Sequence, residues 1–213
     1  MMLTSLIGMA AKGGWLMIVL LALSIVAIYI FGERWWYIRK ATNFDKNFVK
    51  DVKDYLLDGK IRSAKALCKL NNGPMARMIF KGIIRMDRPV DDIQKAMENV
   101  ANLEVAKMEK GLTILSAISG GAPMIGFLGT VIGMIQAFFN MAEAGNNVDI
   151  ALLSGGIYTA MITTVGGLIV GILAYFGYNF LVARIATLTA QMDHTVVEFT
   201  DTIIAIRAKS EEE

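Results

Sequence analysis

The chain has 213 residues, of which 55% are hydrophobic and 19% are charged, and its formal net charge is +2. Soluble domains carry roughly 25% charged residues, so this composition excludes an ordinary soluble domain and indicates an integral membrane protein. The only cysteine, Cys68, excludes a disulfide framework and a cysteine-based metal cluster. The sequence also contains no phosphate-binding loop, metal-ligand spacing or nucleophile–base set, so we expect no catalytic residues, no cofactor and no metal.

The first part of the chain contains one predicted membrane crossing. Residues 1–12 form a short, weakly amphipathic stretch without the basic start that is typical of a cleaved signal peptide. Residues 13–33 form the first predicted transmembrane helix, since about 20 apolar residues are enough to cross a bilayer. Trp15 at one end and Trp35 and Trp36 at the other are typical of the membrane–water interface. Because this span is bulky and nearly free of polar groups, we expect it at the periphery of the helix bundle.

Residues 34–110 form a basic segment that sets the predicted orientation. The segment contains 17 of the 21 lysines and arginines but only 10 of the 19 acidic residues. Basic segments stay on the cytoplasmic side, so we place this segment and residues 184–213 inside the cell, and the N-terminus and the loop of residues 143–150 outside. Apolar residues at helical spacing, such as Phe44, Phe48, Val52 and Leu56, predict a helical domain. We attribute the positive charge to this topology rather than to nucleic-acid binding.

Two long stretches predict the second and third transmembrane helices, at residues 111–142 and 151–183. Residues 112–142 and 150–183 contain no Asp, Glu, Lys, Arg or His. We expect the second helix to begin already at Val90 and to continue past Glu109 into the membrane without a break. Residues 184–213 extend the third helix as an amphipathic cytoplasmic helix. Five charged residues that precede the second span are predicted to face water: Glu98, Glu104, Lys107, Glu109 and Lys110.

Small residues form a stripe along one face of each of these two spans. In the second span the stripe consists of Gly126, Gly129, Gly133 and Ala137. In the third span it consists of Gly156, Ala160, Thr164, Gly167, Gly171 and Ala174. Small residues at spacings of three and four allow membrane helices to approach closely, so we expect the two spans to pack tightly. Pro123 lacks a backbone N–H and predicts a kink in the second span.

Four threonines near the middle of these spans are the candidate polar groups: Thr130, Thr159, Thr163 and Thr164. We expect Thr130 to face Thr163 or Thr164. The alternative is that each hydroxyl is satisfied by a carbonyl of its own helix, and the sequence leaves this open. Proton relays in membranes usually need Asp, Glu or His. If the chain conducts protons, the titrating group must therefore come from another chain.

Three segments of the chain carry a family pattern. They are APMIGFLGTVIGMIQAF at residues 122–138, GIYTAMITTVGGLIVGILAYFGYN at residues 156–179, and GPMARMIFKGI at residues 73–83. These segments resemble the MotA/TolQ/ExbB proton-channel family, and the large loop after the first span fits the same family. Three spans favour the ExbB/TolQ branch over the four-span MotA branch.

The resemblance implies an all-α protein of the bacterial inner membrane that forms a homopentamer around a central pore, with its N-terminus in the periplasm. It implies a dimeric partner of the ExbD/TolR type in the pore, whose membrane Asp carries the proton, and a TonB-like protein that uses the energy. By match, Thr130 and Thr164 are the pore threonines, and Thr163 lies next to the second of them. The family often has a Glu where this chain has Thr159, so the chain depends more strongly on the acid of its partner.

Two other functions remain open from the sequence. One is a TolQ-type role in constriction of the outer membrane and envelope integrity. The other is a non-conducting membrane scaffold, in which the small and polar residues of the spans serve assembly alone. Sodium would usually need more oxygen ligands than these spans offer, so the sequence favours protons as the ion.

Overall fold

The computed structural model of the chain describes residues 14–42, 47–143 and 150–212, and every regular element in these ranges is an α-helix. The helices are α1 (Gly14–Thr42), α2 (Phe48–Leu57), α3 (Ile61–Leu70), α4 (Pro74–Ile84), α5 (Val90–Glu109), α6 (Leu112–Glu143) and α7 (Ile150–Glu212). The predicted stretch at residues 1–12 and most of the predicted loop at residues 143–150 lie outside the described residues. The predicted all-helical fold is confirmed for the described ranges.

Three helical segments within the described ranges contain a stretch that is long and apolar enough to cross a membrane. They are Gly14–Thr42, Val90–Glu143 and Ser154–Lys209, with mean hydropathies of 2.6, 1.7 and 1.9 in their most apolar parts. This observation agrees with the predicted number of spans, and the boundaries of the three crossings stay predictions. The first helix is longer than the predicted crossing at residues 13–33, because residues 34–42 contain no proline or glycine and continue the helix to Thr42.

The helix that we expected to run from Val90 into the second span is interrupted, so that prediction is wrong. α5 ends at Glu109 and α6 begins at Leu112. Between them Gly111 has a φ of 85°, a left-handed conformation that glycine adopts far more easily than other residues. Hydrophobic periodicity continues across this position, which is why the pattern did not reveal the break. The third span differs, since α7 continues without interruption for 63 residues.

The chain divides into two compact units. Among the described residues, the membrane unit combines those up to Glu33 with those of Gly111–Phe180, and the polar unit combines those of Arg34–Lys110 with those from Leu181 onward. Many large apolar side chains of the membrane unit are exposed, such as Phe127 with 66% exposure. Apolar surface of this extent is expected where lipid tails or other membrane helices cover a protein.

Within the membrane unit, α1 packs against α7 at two glycines. A Cβ atom added to Gly166 would lie 3.0 Å from Met17 Cε, and one added to Gly177 would lie 3.0 Å from Phe31 Cδ2. These distances are shorter than ordinary contacts between carbon atoms, which are about 3.5–4.0 Å. Glycine at both positions therefore allows the first span to lie directly on the third.

The core of the polar unit is built from the apolar faces of α2 to α5 and of the C-terminal part of α7. α7 contributes the six buried side chains predicted for its amphipathic face: Ile185, Leu188, Met192, Val196, Phe199 and Ile203. α4, α5 and α7 meet at Gly82. A Cβ atom there would lie 2.6 Å from Met97 Sδ and 2.7 Å from Phe199 Cε1, so these two side chains occupy the space that a larger residue would need.

Glu104 in α5, outside the apolar spans, is buried in the polar unit, so the prediction that it faces water is wrong. Its carboxylate accepts a hydrogen bond from Arg77 Nη1 at 2.8 Å and another from Lys107 Nζ at 2.7 Å. Burial by itself raises the pKa of this carboxyl, but the two hydrogen bonds and the two positive charges outweigh it and hold the pKa below its ordinary value. Of the other four charged residues, Glu98 is half-buried and the rest are exposed.

Candidate functional site

The two stripes of small residues meet in the membrane unit. We call this contact the glycine seam, and it is formed by Gly126, Gly129, Gly133 and Ala137 of α6 with Gly156, Ala160, Thr163, Gly167 and Gly171 of α7. At Gly126, an added Cβ atom would lie 2.8 Å from the Thr163 carbonyl oxygen and 3.1 Å from Gly167 Cα. Because these neighbours are backbone atoms, they cannot move aside as a flexible side chain could. α6 and α7 therefore approach backbone to backbone.

The seam continues from Gly126 toward the C-terminal end of α6. A Cβ atom added to Gly133 would lie 2.8 Å from Ala160 Cβ, and one added to Gly156 would lie 2.6 Å from Ala137 Cβ. Each close approach pairs a small residue of one helix with a small residue of the other. The spacings of three and four residues between the small residues therefore correspond to successive turns of two antiparallel helices.

Pro123 lies at the opposite end of the seam, and α6 continues through it as an α-helix. Proline has no backbone N–H, so the carbonyl oxygen of Ser119 lacks its usual helical partner. Gly171 faces both groups, since a Cβ atom there would lie 2.5 Å from Pro123 Cγ and 2.9 Å from Ser119 O. Glycine at this position lets α7 contact the proline face of α6. The kink at Pro123 stays a prediction.

Thr163 and Thr164 place their hydroxyls in the glycine seam. Thr163 is only 2% exposed, its Oγ1 donates to Ala160 O at 2.7 Å, and it occupies the space that Gly129 leaves open. Thr164 Oγ1 donates across the seam to Gly126 O at 3.0 Å. Hydrogen bonds between membrane helices stabilise them by about 0.6 kcal/mol on average. Thr164 therefore helps to fix α7 against α6.

Thr130 and Thr159 donate their hydroxyl protons within their own helices. Thr130 Oγ1 donates to Phe127 O at 2.6 Å, and Thr159 Oγ1 donates to Gly155 O at 3.0 Å. A hydroxyl has one proton to donate but two lone pairs that can accept. Both oxygens can therefore still accept a hydrogen bond from water or from a protonated carboxylic acid.

The four threonines that the sequence singled out thus differ in their hydrogen-bond acceptors and in their exposure. The proton of Thr130 is not directed to Thr163 or Thr164, and the acceptor across the seam is the carbonyl of Gly126. Sequence reasoning missed this acceptor, because every residue has a backbone carbonyl and no side-chain pattern marks it. Thr163 is buried inside the chain, whereas Thr130, Thr159 and Thr164 are half-buried. The last three are the hydroxyls that another chain could reach.

The lack of charge limits the chemistry that the seam can support. In the part of the chain that the structure describes, no group of three or more His, Cys, Asp or Glu residues is placed to hold a metal ion. The sequence of residues 112–142 and 150–183 has no acid, base or histidine. Hydroxyls and carbonyls there can bind water or a neutral acid through hydrogen bonds, but they do not exchange protons by titration near neutral pH.

The chain is similar to known membrane proteins over most of its length. The sequence profile of the MotA/TolQ/ExbB proton channel family matches residues 70–194. The chain is 30% identical over 174 residues to ExbB-like 1 of Synechocystis sp., which is named for biopolymer transport, and the match covers 81% of this chain and 68% of that protein. It is 28% identical over 179 residues to an ExbB homologue of Methanothermobacter thermautotrophicus, with coverage of 83% and 63%.

A shorter match is found with the biopolymer transport protein ExbB of Neisseria gonorrhoeae, which is 38% identical over 87 residues. That match covers 41% of this chain and 39% of the relative. The matches thus span about two thirds of the first two relatives and about two fifths of the third. The family profile covers more than half of the chain and includes the second and third spans. The chain therefore belongs to the MotA/TolQ/ExbB proton channel family.

Proposed function

We propose that the chain is the channel subunit of a proton-driven machine in the bacterial inner membrane, which energises TonB-dependent transport across the outer membrane. Five copies surround a central pore, with their N-termini in the periplasm and their polar units in the cytoplasm. A dimeric partner of the ExbD/TolR type places its membrane helices in the pore. The membrane Asp of that partner carries the proton, and a TonB-like protein receives the resulting motion.

The observation that carries the proposal is that the second and third spans offer accessible hydroxyls but no carboxylic acid and no histidine. Thr130, Thr159 and Thr164 are half-buried beside the glycine seam, and no Asp, Glu or His occurs in residues 112–142 or 150–183. Proton transfer within a membrane usually requires such a group. A partner that brings one carboxylic acid supplies what this chain lacks.

The physical cost of a charge in the membrane explains why hydroxyls suit this role. An ionised Asp at the centre of a membrane helix costs about 2.5–3.5 kcal/mol on the insertion scale. The partner's acid therefore moves most easily when it is protonated, and a threonine oxygen can accept the hydrogen bond of that neutral acid. A wall without charged groups also offers no opposite charge to a permeating ion.

The names of the relatives support an uptake role over a TolQ-type role. The three relatives described above carry ExbB names. The three candidate spans are also consistent with the ExbB/TolQ branch. Co-expression with an ExbD-type partner or with a TolR-type partner, followed by co-purification, distinguishes the two roles by which partner the chain retains.

Proton flux into liposomes tests the proposal directly. Liposomes would contain the chain alone, the chain with its partner, or the chain with a partner whose membrane Asp is replaced by Asn, and an enclosed pH-sensitive dye would report the flux. We expect flux only with the intact partner. Equal flux from the chain alone would contradict the proposal, and absence of flux in all three preparations would favour the non-conducting scaffold.

Two substitutions test the hydroxyls themselves. Thr130→Val and Thr164→Val keep the side-chain shape but remove the oxygen, and we expect both to abolish partner-dependent flux while the oligomer still assembles. Thr187→Val is the matched control, because Thr187 is exposed beyond the charge-free stretch and donates to Ala183 O of its own helix at 2.9 Å. Flux at the wild-type rate in the Thr130 and Thr164 variants would exclude the hydroxyl role.

A further inference from the structure

A cavity in the polar unit lies between α1 and α7, at the point where each helix continues beyond its apolar stretch. The cavity has a volume of about 390 Å³ and is lined by Trp35, Ile38, Arg39 and Thr42 of α1 and by Leu181 and Arg184 of α7. This volume falls in the range of about 300–1,000 Å³ that is usual for small-molecule sites. Among the described residues that line it, none is acidic.

The position of these residues in the sequence indicates the level of the membrane surface. Arg184 directly follows residues 150–183, which carry no charge. Trp35 comes four residues after Phe31, the last residue of the apolar stretch of α1. Tryptophan side chains concentrate at the level of the lipid headgroups, and long arginine side chains extend along apolar surface to reach the same level. This combination of residues is typical of the level of the lipid headgroups rather than of the lipid tails.

The chemistry of the cavity favours an anion. The Arg39 guanidinium carbon lies 5.5 Å from the centre of the Trp35 ring, a cation–π contact that orients the group. Arg184 brings a second guanidinium from the other helix. Guanidinium groups donate paired hydrogen bonds to phosphate oxygens, and two positive charges that border one cavity favour an anion between them.

We propose that this cavity binds the phosphate headgroup of an anionic phospholipid, while the acyl chains of the lipid remain in the bilayer. Basic pockets beside membrane helices are a recognised type of site for anionic headgroups. The lipid would join α1 to α7 through Arg39 on one helix and Arg184 on the other. This inference does not depend on proton conduction, so it stands or falls separately from the proposed function.

Native mass spectrometry of the purified full-length chain can test the proposal. The chain would be titrated with phosphatidylglycerol and, in parallel, with phosphatidylcholine of the same acyl chains. We expect the wild-type chain to retain phosphatidylglycerol preferentially, and each of Arg39→Gln and Arg184→Gln to weaken that retention about fivefold, with about 25-fold for the double variant. Arg62→Gln is the matched control, because Arg62 is an exposed arginine on α3, and we expect it to leave retention unchanged.

Three further measurements make the result decisive. The double variant Arg39→Lys with Arg184→Lys keeps both charges but loses the paired hydrogen bonds of guanidinium, so we expect it to retain phosphatidylglycerol more strongly than the double glutamine variant and less strongly than the wild type. Circular dichroism of each variant checks that the helices are intact. Displacement of the lipid by inorganic phosphate at equal concentration would show a site for a free anion and would overturn the proposal. Wild-type retention of phosphatidylglycerol in the double glutamine variant would overturn it as well.

Discussion

From the close contact of the glycine seam we predict that one methyl group added at Gly126 forces α6 and α7 apart. In Gly126→Ala the new Cβ atom would lie 2.8 Å from the Thr163 carbonyl oxygen, which must recede by about 0.6 Å to reach the 3.4 Å of an ordinary contact. The same displacement would lengthen the bond from Thr164 Oγ1 to Gly126 O from 3.0 Å to about 3.6 Å, beyond the length of a hydrogen bond.

The size of the effect follows from these two losses. Overpacking of a close contact costs about 1–3 kcal/mol, and the lost interhelical hydrogen bond adds about 0.6 kcal/mol. Alanine is favoured over glycine inside a helix by about 0.5–1 kcal/mol, which offsets part of this loss. We therefore expect the free energy of unfolding of Gly126→Ala to be about 1–3 kcal/mol lower than that of the wild type. Unfolding of the full-length chain by SDS in mixed micelles, followed by tryptophan fluorescence and circular dichroism, would measure this difference.

A matched substitution on the same helix provides the control. Gly120 is an exposed residue of α6, and a Cβ atom added there meets no atom within 4 Å. Because alanine is favoured over glycine inside a helix by about 0.5–1 kcal/mol, we expect Gly120→Ala to be as stable as the wild type or slightly more stable. If Gly126→Ala proved as stable as Gly120→Ala, the backbone-to-backbone contact of the seam would be refuted.

Three further predictions concern the polar unit. Gly82→Ala introduces a Cβ atom that collides with Met97 and Phe199, so we expect denaturant unfolding to show a loss of about 1–3 kcal/mol, and an unchanged unfolding midpoint would contradict this packing. The pKa of Glu104 is held below its ordinary value, so the stabilising effect of this carboxylate is present above about pH 4.3 and is lost as the pH falls through the lowered pKa. The thermal unfolding midpoints of the wild type and of Glu104→Gln should therefore converge as the pH is lowered. A difference between the two midpoints that stays constant with pH would contradict this prediction. Burial raises the pKa of the Cys68 thiol to about 11, so a maleimide at pH 8 should label the unfolded chain rapidly and the native chain very slowly, whereas equal rates would show an accessible thiol.

Much of the fold could be predicted because membrane spans and helix faces leave periodic patterns in the sequence. The uncharged lengths of the spans indicated three crossings, and the spacing of Gly126, Gly129 and Gly133 indicated which face of α6 is close-packed. The buried face of α7 from Ile185 to Ile203 followed from the same helical periodicity. In each case the residue pattern that supports the prediction lies within a single helix and a short stretch of sequence.

The features that could not be predicted depend on single backbone conformations or on partners distant in sequence. The break before α6 rests on the positive φ of Gly111, and a glycine in a helical pattern does not reveal which conformation it adopts. The burial of Glu104 requires Arg77, which lies 27 residues away on another helix. The cavity beside Arg39 and Arg184 is formed by two groups of residues about 140 positions apart. None of these three features alters the local hydrophobic pattern.

The absence of charge in the second and third spans limits how these two spans respond to a voltage across a membrane. A potential of 100 mV does about 2.3 kcal/mol of work on each elementary charge that crosses it. The side chains of residues 112–142 and 150–183 carry no formal charge at neutral pH, so the electric field does almost no work on them when they move. A voltage-dependent movement of these two spans would therefore have to draw on charges outside residues 112–142 and 150–183.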